Sequence, residues 1–299
     1  MKRINTFIVA AAMVLSFTGC SNEVTGLSSL NKEQTKEIEN VKVELTDLNN
    51  SYKATAQTRG LKKWLRWLIF GAADVAGALG GGVSGACTAS SLAWTVTKSE
   101  TMAEKPEQET ATKTTSLTET RAQVIQLSDS ADIKNGNLEG LDEGSMGYLH
   151  NKVISSAFIE NEDICTKSNE EVMNIILDEL KKQTGMDFSE SQRKEVMAYT
   201  TKIINSFDSS KTVEEYFKEL EAQTTDVKQK EALSICGMVL DGLQYVDDND
   251  TTYAETATKI IQNSSIDPEM KKTLLDGVSV ANASAKLWNT EVLDTKLQK

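Results

Sequence analysis

The chain contains a single histidine, His150, within Gly147-Tyr148-Leu149-His150-Asn151. A serine or cysteine hydrolase needs a histidine base beside its nucleophile and a third group to orient that base. Nothing close to His150 in sequence singles out a nucleophile, so it reads as a histidine near a helix N-terminus that makes a structural hydrogen bond. The four cysteines, Cys20, Cys87, Cys165 and Cys236, are scattered and lack the short-spaced pairs of a zinc site. Asp247-Asp248-Asn249-Asp250 gathers oxygen ligands in one turn, yet it lacks the glycine and the distal bidentate glutamate of a calcium loop. A polar turn capping the next helix through Asp250 or Thr251 is the simpler reading. Gly80-Gly81-Gly82-Val83-Ser84-Gly85 has no lysine and follows no strand, so it is not a Walker-type phosphate loop. Acids are abundant throughout, and no pair of them stands out as a glycosidase dyad. No catalytic residues, metal ligands or cofactor are expected, and the body is expected not to be an enzyme.

The N-terminus carries a different kind of chemistry. Lys2 and Arg3 are followed by an uncharged stretch, Phe7 to Phe17, that is too short to span a bilayer. Phe17-Thr18-Gly19-Cys20 then places small residues before a cysteine. This arrangement resembles the lipobox of bacterial lipoproteins, with Phe17 standing where that family usually has leucine. A buried N-terminal helix that merely contains a cysteine would not need all three features at these distances. The resemblance covers only the export signal, and it implies diacylglyceryl transfer to Cys20, cleavage after Gly19 and N-acylation of the new terminus. Several acyl chains on one residue give stable attachment where one would not. Residues 1–19 are thus expected to be a signal peptide and 20–35 a tether, with the lipid on Cys20 binding the body to a membrane outside the cytoplasm. Ser21, rather than aspartate, resembles lipoproteins sorted to an outer membrane.

The net charge is −12 for the whole chain. Loss of residues 1–19 removes Lys2 and Arg3, leaving 30 basic against 44 acidic residues and a net charge of −14. Such a body is repelled by nucleic acid and by anionic lipid, which excludes nucleic acid as a partner. With only two prolines and 6% aromatics, the composition leans to helix. If Cys20 is acylated, an odd number of cysteines remains. Cys165 and Cys236 could be bridged, or Cys236 could be a small buried residue on its helix.

Hydrophobic spacing supplies the elements. Ile38, Val41, Leu45, Leu48 and Tyr52 make one stripe on a helix that docks against the rest of the protein. Residues 61–97 open with cations and indoles (Lys62, Lys63, Trp64, Arg66, Trp67), and no charge occurs from Val75 to Thr97. Within this segment Ala73, Gly77, Gly81, Gly85, Ala89 and Ala93 recur every fourth residue. Small residues at that spacing leave a flat helix face for close backbone packing, and the segment resembles glycine zippers. Gly77, Gly81 and Gly85 are the expected helix-packing positions. If Cys20 lies outside the cytoplasm, a single inner-membrane span here would put Lys62, Lys63 and Arg66 on the wrong side for the positive-inside bias. A buried, closely packed helical hairpin is therefore preferred.

Residues 98–139 read as a disordered polar linker interrupted by Pro106. Beyond about Gly144 the helix signals are clear. Ser168 with Glu171, Ser189 with Gln192, Thr212 with Glu215, Asp226 with Gln229, and Asp267-Pro268 each precede an apolar stripe. The predicted fold is all-α: a C-terminal multi-helix bundle over 140–299, preceded over 36–97 by an amphipathic helix and the Gly/Ala-rich segment. The expected function is an envelope-anchored, non-enzymatic binding or structural role, with a protein of the envelope as partner. The alternative is a membrane-active effector, bacteriocin-like or pore-forming, that uses residues 61–97. An enzyme assembled from distant residues is the third reading. What residues 61–97 pack against discriminates the first two.

Overall fold

The helix starts follow the local chemistry. In the computed structural model, residues 30–56, 61–103, 136, 138–161, 163–164, 167–205, 211–246 and 251–288 are described, with side chains of the 61–103 helix described over 70–93. Among these residues the protein is all-α, with nine helices and no strand. The first, α1 (Lys32–Thr55), starts where the Asn31 side chain accepts from the Gln34 N–H and buries Ile38, Val41 and Leu45. The second, α2 (Leu61–Ala103), is broken at Gly82, whose φ of 59° and ψ of −150° suit a residue without a Cβ. It is a hairpin: Gly77 and Gly85 touch, whereas residues eight apart in a straight helix lie about 12 Å apart.

The remaining helices are α3 (Met146–Glu160), α4 (Asn169–Thr184), α5 (Glu190–Asn205), α6 (Val213–Gln223), α7 (Val227–Leu243), α8 (Thr252–Asn263) and α9 (Pro268–Trp288). Capping boxes with both reciprocal hydrogen bonds start α4 at Ser168/Glu171 and α6 at Thr212/Glu215. Ser189 and Gln192 bond reciprocally before α5. Asp226 accepts from the Gln229 N–H at α7, and Asp267 accepts from the Glu269 and Met270 N–H groups at α9. The α8 start differs from expectation. Thr251 occupies the N-cap without a capping bond, because its hydroxyl turns to Glu255 four residues on.

The hairpin is the centre of the bundle. It packs against α9, α5, α4, α7 and α3, and to a smaller extent α6. Its side chains from Phe70 to Ala93 are buried apart from Gly80, Gly81 and Gly82 around the bend. The surrounding helices turn their apolar stripes inward, for example Val172, Met173, Ile176, Leu177 and Leu180 of α4. One continuous core draws buried residues from all nine helices, so it crosses the composition-based boundaries at 97 and 139. No helix among the described residues is long and apolar enough to cross a membrane.

Candidate functional site

Between Arg66 and Lys98 the only charged residue is Asp74. It lies on the first arm of the hairpin, at 0% exposure. A carboxylate there must find partners, because an isolated buried charge is too costly to keep. They come from two helices distant in sequence. From α9, the Ser284 hydroxyl donates to Asp74 Oδ2 at 2.6 Å. From α3, His150 Nε2 lies 3.4 Å from the same oxygen, both side chains at 0% exposure. Ser90 on the second hairpin arm and the Trp288 indole on α9 also bear on the carboxylate. Trp288 stacks on Phe70 at 4.5 Å, closing the apolar side of the cluster.

The imidazole is held from behind. His150 Nδ1 lies 2.9 Å from Asn151 Oδ1. The Asn151 amide nitrogen donates to the Gly136 and Ala283 carbonyls, each at 2.9 Å. Two carbonyl acceptors fix which way that amide faces, so Oδ1 is the atom presented to the ring. α3 reaches α9 this closely because Gly147 has no side chain: a Cβ there would lie 2.2 Å from the Ser279 carbonyl oxygen. The Gly147 N–H donates to Ser279 Oγ at 3.0 Å.

Burial pushes the Asp74 carboxyl above its ordinary range; His150 and then the Ser284 hydrogen bond pull it down, but by less. The Cys87 thiol, also wholly buried, is pushed well up by burial and by the nearby Asp74. The arrangement is not that of a serine hydrolase, in which the histidine stands between the serine and the acid. Here the acid stands between serine and histidine, and Ser284 donates to Asp74. The Ser284 hydroxyl is thus directed at a carboxylate and not at an imidazole. No group of three or more metal-ligating side chains occurs among the described residues.

Searches against protein-family models, curated proteins and solved structures find no match.

The residues expected from the sequence fall in several places. Gly77 and Gly85 meet across the hairpin, whereas Gly81 stands apart: a Cβ there finds only the Tyr199 ring, at 3.8 Å. The bend at Gly82 is the reason, since it places Gly81 at the tip, outside the crossing. Cys236 is a free, buried thiol against Gly277. Cys20, Cys165 and Asp247 to Asp250 lie outside the described residues, as do the side chains of Trp64 and Trp67. His150 has the structural hydrogen bond expected of it, but its facing acid went unforeseen. The available signal was the lone acid in an otherwise uncharged apolar segment beside the lone histidine of the chain.

Proposed function

We propose that this chain is an envelope-anchored lipoprotein, held through lipid on Cys20, whose helical body has a non-enzymatic structural or binding role. The observation that carries the reading of the body is the burial of the glycine hairpin, from Phe70 to Ala93, as the centre of the bundle. A segment enclosed in this way supplies the core around which the surrounding helices present their polar faces. The polar groups capable of chemistry, Asp74, His150 and Ser284, are enclosed with it, which suits a structural task better than turnover of a substrate. Export, lipid attachment, an outer-membrane location and a protein partner in the envelope rest on the resemblance of residues 1–20 to a lipobox-type signal.

In cells, Cys20→Ala should abolish palmitate labelling and leave an uncleaved or soluble form. Unchanged labelling would overturn the anchor. For the body, purified signal-less protein should release no dye from liposomes at any concentration tested. Dose-dependent release would instead favour the membrane-active effector.

A further inference from the structure

We propose that the edge between His150 Nε2 and Asp74 Oδ2 holds one buried proton, that this proton locks the glycine hairpin onto α3 and α9, and that its loss at high pH releases the lock. The inference does not depend on how the protein is anchored.

The proton count follows from the hydrogen bonds. Asn151 Oδ1 can only accept, so His150 Nδ1 must donate to it. A neutral imidazole has a single N–H proton, and that proton is then used. Nε2 would face Asp74 Oδ2 across 3.4 Å as one lone pair against another. Ser284 already donates to Oδ2 and does not fill that gap. One proton on the edge removes the repulsion, either on nitrogen, as imidazolium against carboxylate, or on oxygen, as a carboxylic acid donating to imidazole. With it the cluster is electrically neutral; without it a net negative charge is sealed in the core.

The neighbours offer no substitute. From α2, Cys87 faces the His150 carbonyl at 3.9 Å, and its thiol is held neutral by burial. From α6, Tyr216 is pushed up towards its neutral form, by burial first and by the Asp74 charge only as a minor contribution. From α9 come Ser284 and Trp288, neither of which carries a charge. Among the described residues His150 is the one cationic group acting on Asp74. Burial outweighs the partners at Asp74 and holds its carboxyl above the ordinary carboxylate range.

The hairpin is the element expected to yield. Its buried faces are largely small: Ala72, Ala73, Ala76, Ala86, Ala89 and Ala93 provide few knobs to fix a seat. Among the described residues its polar ties to other helices include the Asp74 cluster, the Cys87 thiol on the His150 carbonyl at 3.9 Å and the Tyr199 hydroxyl, which donates to the Ala76 carbonyl at 2.9 Å. Loosening the first arm lets an ionised Asp74 reach water.

His150 is the only histidine, so a histidine-labelled, signal-less protein shows a single imidazole by nitrogen NMR. Nδ1 should remain protonated wherever the protein is folded; a bare Nδ1 at neutral pH would overturn the proposal. Hydrogen-exchange protection of 70–93 should fall by roughly tenfold or more on going from about pH 6 to about pH 9, since each unit of displaced titration is a factor of ten. In Asp74→Asn, whose amide can donate to Nε2, that fall should vanish; an unchanged fall would overturn the lock. Ser284→Ala decides the matter even if the asparagine variant does not fold. Losing a donor to the carboxylate tightens the proton, so the fall should move to higher pH. A fall that stays put or moves lower refutes the assignment.

Discussion

Gly77 and Gly85 meet backbone to backbone across the α2 hairpin, each occupying the space that a side chain on the other would need. A Cβ on Gly77 would lie 2.4 Å from the Gly85 carbonyl oxygen, and one on Gly85 would lie 2.2 Å from that of Gly77. Neither obstacle is a flexible side-chain end; both are main chain. The arms must separate to admit even a methyl group.

Gly85→Ala should therefore destabilise signal-less protein by about 1–3 kcal/mol, the usual range for overpacking. Gly81→Ala is the matched control. A methyl there meets only the Tyr199 ring at 3.8 Å, and the helical preference of alanine is worth roughly 0.5–1 kcal/mol in its favour. Thermal unfolding of the two variants should move in opposite directions, and equal losses would show that the bend is mislocated.

A fragment of residues 140–299 should fail to fold cooperatively. Its α4, α5, α7 and α9 lay their apolar faces on the hairpin, which that fragment lacks. Urea unfolding followed by circular dichroism should give a broad, shallow transition, and adding back residues 30–103 on the same chain should sharpen it. A steep transition in the short fragment would mean that the later helices can close a core of their own.

Ile176→Ala tests the packing of α4 against that core. The side chain has no exposed surface, so truncation should cost about 2–5 kcal/mol, read as a lower denaturation midpoint at unchanged slope.

The two capping boxes give a pH dependence of opposite sign to that of Asp74. Hydrogen bonds from Ser168 hold the Glu171 carboxyl below its ordinary range, and the Thr212 backbone and hydroxyl do the same for Glu215. A depressed folded-state value means stability that is present above the ordinary glutamate range and lost as pH falls through the folded one. For Asp74 the folded value is raised, so its contribution is largest at low pH and is lost as pH rises through that value. Ser168→Ala should flatten the acid limb of the stability profile and leave the alkaline limb alone. Asp74→Asn should do the reverse.

The helices were legible where their signals are local. Ser168 and Glu171 are three residues apart and bond each other, so reading one predicts the other, and Ile38, Val41 and Leu45 fall on a stripe that the spacing alone defines. The small-residue stripe announced close packing, but periodicity assumes an unbroken helix. The bend at Gly82 paired Gly77 with Gly85 and moved Gly81 to the tip. Thr251 looked like a cap, yet its hydroxyl had Glu255 within reach as a competing partner. The Asp74 cluster was out of reach for another reason. Its members come from three helices, Asp74 and Ser284 are 210 positions apart, and no local pattern links a lone acid to a serine at that distance.

That separation has a kinetic consequence. Among the described residues the hairpin is the second helical element, and the helix that covers Asp74 is the last. A newly made chain has a small-residue hairpin, charged between Arg66 and Lys98 only at Asp74, whose cover stays incomplete until the helix that carries Ser284 has been made. Contacts with α3, α4 and α5 can form earlier, but the α9 contact closes a long loop, which is slow, and until it forms apolar surface of the hairpin stays open to other chains. Dependence on a holdase during this interval, and aggregation whose extent rises with protein concentration on rapid refolding, are the costs of building the centre first and the cover last.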